Sequence, residues 1–314
     1  MRDTTGFHKN LLGIARLFRI IPVLAWSFSA ITLGVGLAMY RTAWPNIRLS
    51  QLIILVFIAA MFQGLAAHAI NDIYDWLSGT DKHSQGIMSG GTRVIGKNLL
   101  GISQLKIIGV AALAAGIAGG LYLVWAHGFF ILVLLAVGVW STIAYSMPPV
   151  QLAYRPLAGE WLGAWPAMVA CTLGTFYVLT GTITSYAVAG GLLHATFSVA
   201  WLMQHHLPDI DADLLASPPK MTTVAFVSQR WGKIYTKYLV MGYFLLLVPM
   251  GVLFGLLYNP AFLVSIFFCS ACAFLALTTN PSNIRQISAR QVGMILLSVG
   301  HAVSLAALFA LRTF

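Results

Sequence analysis

Apolar runs of about 20 residues, the length needed to cross a bilayer, alternate along the chain with short polar interruptions. Nine runs stand out, at roughly 20–40, 51–77, 102–126, 128–147, 160–181, 184–207, 235–257, 261–279 and 290–311. Each is longer than an ordinary strand, and a spanning backbone must satisfy its own hydrogen bonds. The pattern therefore predicts an all-α polytopic protein with nine transmembrane helices. Pro, Gly and polar clusters separate the runs: "WPN" at 44–46, "MPP" at 147–149, "SPPK" at 217–220 and "NPSN" at 280–283. Two connections are long, about 78–101 and about 208–234, and the others are short enough to make neighbouring helices antiparallel.

A weak repeat runs through this pattern. "HAINDIYD" (68–75) and "HHLPDIDAD" (205–213) each set a His four residues before an Asp-Ile pair at the end of an even-numbered run. Residues 1–314 accordingly read as one transmembrane domain, built from two four-helix units (about 20–147 and 160–279) and a ninth helix at about 290–311.

Composition agrees. Hydrophobic residues make up 59% of the chain and charged residues 8%, against about 25% charged in soluble proteins. The net charge of +10 comes from basic residues between the apolar runs, with no aromatic-basic motif for nucleic acid. Fifteen of the eighteen Lys and Arg residues fall on one side if the N-terminus is inside; Arg41, Arg48 and Arg312 are the exceptions. The positive-inside rule then puts both long loops in the cytoplasm and the C-terminus outside, as in a bacterial-type inner membrane. The N-terminal stretch, Arg2 included, is mixed and basic, unlike a cleavable signal peptide. Cys171, Cys269 and Cys272 lie in apolar runs and read as packing residues.

The acids change the picture most. Apart from Asp3 and Glu160, they form two groups of three: Asp72, Asp75 and Asp81, then Asp209, Asp211 and Asp213. Asp72 and Asp75 share a helix face, as do Asp209 and Asp213, while Asp211 points elsewhere. Stacked carboxylates at a helix C-terminus repel one another and oppose the helix dipole. Pairing with loop lysines would answer this at any single aspartate. For two clusters on one side of the membrane, a divalent cation answers it better. Hard oxygen donors, with the Asn71 amide oxygen among them, suit Mg²⁺, which completes its shell with water and phosphate oxygens. Two facing acidic patches rimmed by Lys and Arg describe a diphosphate pocket.

"NDIYDWLSGTD" (71–81) and "DIDAD" (209–213) resemble the two aspartate-rich motifs of the UbiA-type intramembrane prenyltransferases, NDxxDxxxD and DxxxD. "YSMPPVQLAYRPLAGE" (145–160) is similar to the segment between them. The resemblance covers nearly the whole chain. It implies helices around a central cavity, with Mg²⁺ holding a prenyl diphosphate at its cytoplasmic mouth. By motif, Asn71, Asp72 and Asp75 would bind the metal from one side and Asp209 and Asp213 from the other. The family's third acid would fall at 79, which is Gly79 here; Asp81 stands two residues later. That spacing, followed by "SGGTRVI" (89–95), looks like the menaquinone-branch enzymes that prenylate 1,4-dihydroxy-2-naphthoate.

The implied chemistry is ionisation of the donor, with charge stabilised by metal and by Lys82, Arg93, Lys97, Arg155 and Lys220. Tyr145 and Ser146 would hydrogen-bond the diphosphate or orient the acceptor. Tyr74, Trp76, Trp140, Tyr145 and Trp201 are candidate faces for the allylic cation. His68, His205 and His206 read as polar residues facing the bundle. No protein partner is expected; the substrates are a prenyl diphosphate and a hydrophobic acceptor. Open alternatives are a glycerol-phosphate, sugar-phosphate or haem acceptor, or an ion-coupled transporter. A transporter would place its acids nearer the midplane.

Overall fold

Hydrocarbon offers a backbone no hydrogen-bond partner but itself, and the computed structural model answers this with helix along its spanning segments, interrupted in the first of them at Arg19. It describes residues 4–42, 48–86 and 89–312; Arg2, Asp3 and the 44–46 separator lie outside these. Eight helices are long and apolar enough to cross a membrane: α1 (His8–Arg41), α2 (Leu49–Ser78), α3 (Ile102–His127), α5 (Gly159–Thr180), α6 (Ser185–Leu215), α7 (Lys233–Leu257), α8 (Pro260–Leu277) and α9 (Ile284–Ala310). The ninth expected span is α4 (Phe129–Ala144), an apolar helix of 16 residues that falls short of full spanning length. All nine expected runs are therefore helices, eight of them of spanning length.

Each helix packs on its chain neighbour from α2 to α9, and α9 returns against α1. α1 also lies on α5 and α6. The closest approach uses small residues: a Cβ on Gly36 would stand 2.3 Å from Ala306 Cα, so α1 and α9 touch backbone to backbone, as membrane helices commonly do. α6 is the most enclosed helix, with 83% of its apolar window buried against 22% for α2. The largest core cluster gathers Leu193 and Phe197 of α6 with Leu37, Phe176, Phe244, Phe262 and Phe309, and the Phe197 and Phe244 rings pair edge-on. Large side chains such as Trp125, Leu256, Phe267 and Leu296 point outward, where lipid is the natural solvent for them.

Three helices loosen into π-helical turns, at Leu24–Phe28 in α1, Ala60–Ala67 in α2 and Gly159–Ala164 in α5. Such turns re-aim side chains and concentrate at functional sites. Here all three face one interior cavity.

Candidate active site

Both acidic motifs end their helices at the same end of the bundle, and three connections fold over that end. Ser217 N donates to Ser78 O at 2.8 Å, and Leu157 N donates to Thr223 Oγ1 at 2.8 Å. The first bond ties the segment after α6 to the first motif, and the second ties the segment before α5 to the segment after α6. Beneath them lies a cavity of about 320 Å³, lined at its mouth by Asp75, Asp209, Asp213 and Lys220 and deeper down by apolar side chains. The two motifs thus face one space, as their spacing implies.

Asp75 is 3% exposed and has partners on every side. Its Oδ2 accepts from Lys220 Nζ at 2.6 Å and from Asn71 Nδ2 at 3.0 Å, and its Oδ1 accepts from Tyr154 OH at 3.1 Å. Asn71 Nδ2 also donates to Ser146 Oγ at 3.2 Å. Burial opposes the charge on Lys220, but Asp75 and Asp213 outweigh it, and the lysine pKa lies well above its ordinary value. Tyr145 lines the cavity, and burial raises its phenol pKa, as it does that of Tyr154.

Asp72 is buried behind Asp75. Thr92 N donates to its Oδ1 at 3.1 Å, and Thr92 Oγ1 donates to its Oδ2. Asp209 accepts from Ser84 Oγ and from Gly90 N, the latter at 3.0 Å. A single loop, 84–92, therefore grips one aspartate from each motif. Its glycines make the grip possible. Gly91 has φ +65°, and a Cβ there would stand 2.2 Å from Asp81 Oδ2; Gly90 has φ +74°, and its Cβ would stand 1.9 Å from Ser84 Oγ. Burial, then Asp75 and Asp72, push the Asp81 carboxyl up to about 8.

Within the two acidic motifs, two buried carboxylate oxygens, Asp81 Oδ1 and Asp213 Oδ1, meet no hydrogen-bond donor among the described residues. Such atoms are costly unless a proton or a cation answers them. Among the described residues, no three His, Cys, Asp or Glu side chains converge closely enough to hold a metal unaided. Both facts fit Mg²⁺, which takes few protein carboxylates and draws its remaining oxygens from water and phosphate.

Of the other expected residues, Ser146 joins the site through Asn71. Lys82, Arg93 and Lys97 do not line the main cavity. They share a second hollow with Asp72, Asp81, Trp76 and Ser84. Lys82 Nζ stands 5.2 Å above the Trp76 ring, and Arg93 donates to Ser84 O and Gly86 O. Arg155 is exposed and reaches Pro149 O at 3.5 Å. Asp211 faces out and pairs with Lys233 at 2.8 Å, as its helix phase predicts. Among the aromatic candidates, Tyr145 and Trp201 line the cavity; Tyr74, Trp76 and Trp140 do not. His68, His205 and His206 face the cavity from the bundle interior.

Several site residues escaped sequence reasoning. Trp26 forms an edge-on pair with Trp201 in the wall, with centroids 5.3 Å apart. Gln63 bonds Ser27 between two π-helical turns. Arg19, at the end of the basic N-terminal stretch, lines the cavity from a left-handed backbone position at φ 45°. Only the Gly-Gly pair at 90–91 carried a visible signal.

A sequence model of the UbiA prenyltransferase family matches residues 28–308. No curated protein sequence matches the chain significantly. In fold, the chain is similar to a UbiA homologue from Archaeoglobus fulgidus bound to GPP and Mg²⁺, with TM-score 0.66 and 14% identity over 94% of this chain and 99% of that one. It is also similar to a digeranylgeranylglyceryl phosphate synthase, with TM-score 0.58 and 13% identity over 94% and 99%. A UbiA homologue from Aeropyrum pernix K1 matches with TM-score 0.54 and 16% identity over 92% and 98%.

Proposed function

The chain belongs to the UbiA prenyltransferase family, and from that premise we propose that it moves a prenyl group from a prenyl diphosphate, with Mg²⁺, onto an aromatic acceptor within the membrane. The observation that carries the reading is the shared mouth: Asp75, Asp209, Asp213 and Lys220 surround the polar end of an otherwise apolar cavity. The A. fulgidus homologue binds GPP and Mg²⁺ in the same fold, which supports the choice of donor and metal.

In this reading Mg²⁺ would be held by Asn71, Asp75, Asp209 and Asp213 at the cavity mouth and by Asp72 and Asp81 from the second hollow, few of them on any one ion. Bound Mg²⁺ supplies Lewis-acid neutralisation of the diphosphate as the C–O bond breaks. Lys220, poised on Asp75, donates a charge-assisted hydrogen bond to a phosphate oxygen. Tyr145 and the Asn71–Ser146 pair hold the donor's first carbons beside the acceptor. The three connections over the mouth keep water from the allylic cation, and Trp26, Trp201 and Tyr145 offer it aromatic faces. Lys82, Arg93 and Lys97 on the second hollow, with exposed Arg155, add positive charge that draws the anionic donor toward this end of the bundle. The N-terminus and the mouth lie on the cytoplasmic side.

For the acceptor we propose 1,4-dihydroxy-2-naphthoate or a similar quinone precursor, supported by the "SGGTRVI" segment and the aromatic wall. A glycerol-phosphate lipid, a sugar phosphate or haem would use the same donor end. The test is detergent-solubilised protein with geranylgeranyl diphosphate, Mg²⁺ and a panel of these acceptors, followed by mass spectrometry. A prenylated naphthoate supports the reading, and a product from another acceptor alone replaces it. An ion-coupled transporter would release no diphosphate with any acceptor.

A further inference from the structure

The depth of the cavity carries information about the donor, given the prenyl diphosphate reading above. On α4 the lining residues recur from Tyr145 back to Ile131, and on α5 from Gly163 out to Val178, each along one helix face. At about 1.5 Å per helical residue, both stripes are about 20 Å long. They start level with each other: a Cβ on Gly163 would stand 2.9 Å from the Tyr145 ring. They also end together, because Leu123, Ile131 and Val178 are buried against one another with Leu55 and Leu134 around them. The cavity therefore has a polar mouth and an apolar far end, where these side chains pack together.

We propose that this cavity acts as a tunnel that measures the prenyl chain, with the far end as its floor, and fits a donor of about four isoprene units. With about 1.5 Å per carbon–carbon bond, an extended unit advances about 5 Å, so four units reach the floor. Two units leave the lower half of an apolar tunnel unfilled. Six exceed it. Leu123, Ile131 and Val178 form the stop, and Gly174, one turn above Val178 on the same face, keeps the lower tunnel open. A Cβ on Gly174 would meet only Leu134 Cδ1, at an ordinary 3.4 Å. A larger side chain there fills the tunnel without striking backbone, and the helix gains propensity over glycine.

The test is binding of non-ionising thiolodiphosphate analogues of two, three, four and six units to the full chain in detergent with Mg²⁺. It needs no acceptor. We expect affinity to rise at least about tenfold from two units to four, the scale set by burying several methylene-sized groups, and to rise no further at six. Gly174→Leu removes the gain between three and four units and leaves two-unit affinity within about twofold. Val178→Phe, which fills the floor itself, does the same should the glycine variant fold poorly. Because detergent partitioning acts on wild type and variants alike, the difference between their profiles decides. Equal affinity across lengths, or variants with the wild-type profile, overturns the inference while leaving the donor class intact. Binding of none of the analogues overturns the donor class as well.

Discussion

Lys220 Nζ lies 2.6 Å from Asp75 Oδ2, with both side chains buried and the two residues 145 positions apart in the chain. This pair joins the two acidic motifs before any ligand arrives, because Lys220 also reaches the second motif through its own backbone N–H, which donates to Asp213 O at 2.9 Å. The lysine occupies a place suited to a cation among carboxylates. Removing one partner of a buried pair strands the other charge, which typically costs about 3 kcal/mol or more. Lys220→Met is therefore expected to lower Tm and to cut kcat at least about 100-fold, the scale of losing one preorganised transition-state donor. Asp75→Asn combined with Lys220→Met should regain much of the Tm and none of the activity. Thermal unfolding and diphosphate release, measured on both variants, check this.

The 84–92 loop makes a sharper contrast. Gly79 and Gly91 both have positive φ, but a Cβ on Gly79 meets nothing within 4 Å while one on Gly91 collides with Asp81. Gly79→Ala should cost only the backbone penalty, about 1–2 kcal/mol, with activity close to wild type. Gly91→Ala should displace Asp81 and weaken Mg²⁺ dependence at least about tenfold. Mg²⁺ titrations of turnover in the two variants separate these effects.

A third expectation concerns pH. The Asp81 carboxyl is pushed up to about 8 by burial first and then by Asp75 and Asp72, so the folded, ligand-free protein holds a proton that the unfolded chain releases near 3.8. An acid with a raised folded pKa favours folding fully below its unfolded pKa, and that contribution is lost as pH rises through the interval. Ligand-free stability should therefore decline between about pH 4 and 8, and less so in Asp81→Asn. Metal binding requires the charged carboxylate. Uptake of Mg²⁺ with a diphosphate at pH 7 should release protons, measurable by calorimetry in buffers of different ionisation enthalpy, and Asp81→Asn should reduce that release.

Much of this site was legible in the sequence because its signal is local. Asp209 and Asp213 show their shared face by spacing alone, and the outward position of Asp211 follows from the same arithmetic; Asp72 and Asp75 are divided between two hollows, which spacing does not show. The helices were legible for the same reason, since apolar run length determines them; only α4 came out shorter than its run suggested. The loop cations were not. Lysines and arginines near a membrane end have one sequence signature whether they face a pocket, a ring or bulk water. Lys220 turned inward, while Lys82 settled over Trp76 and Arg93 capped loop carbonyls. Trp26, Gln63 and Arg19 were hidden because their aim depends on π-helical turns and a left-handed residue, and an ideal 3.6-residue period cannot register either.

The central claim is that the two motifs act as one grip on a metal-bound diphosphate. Its most direct test is calorimetric binding of a non-ionising prenyl thiolodiphosphate, with and without Mg²⁺, to the wild type, Asp75→Asn and Asp213→Asn. We predict binding that requires Mg²⁺ in the wild type and weakens at least about 100-fold in each variant, in keeping with the loss of a metal-ligating carboxylate. Wild-type affinity in either variant, or binding indifferent to Mg²⁺, would contradict the account.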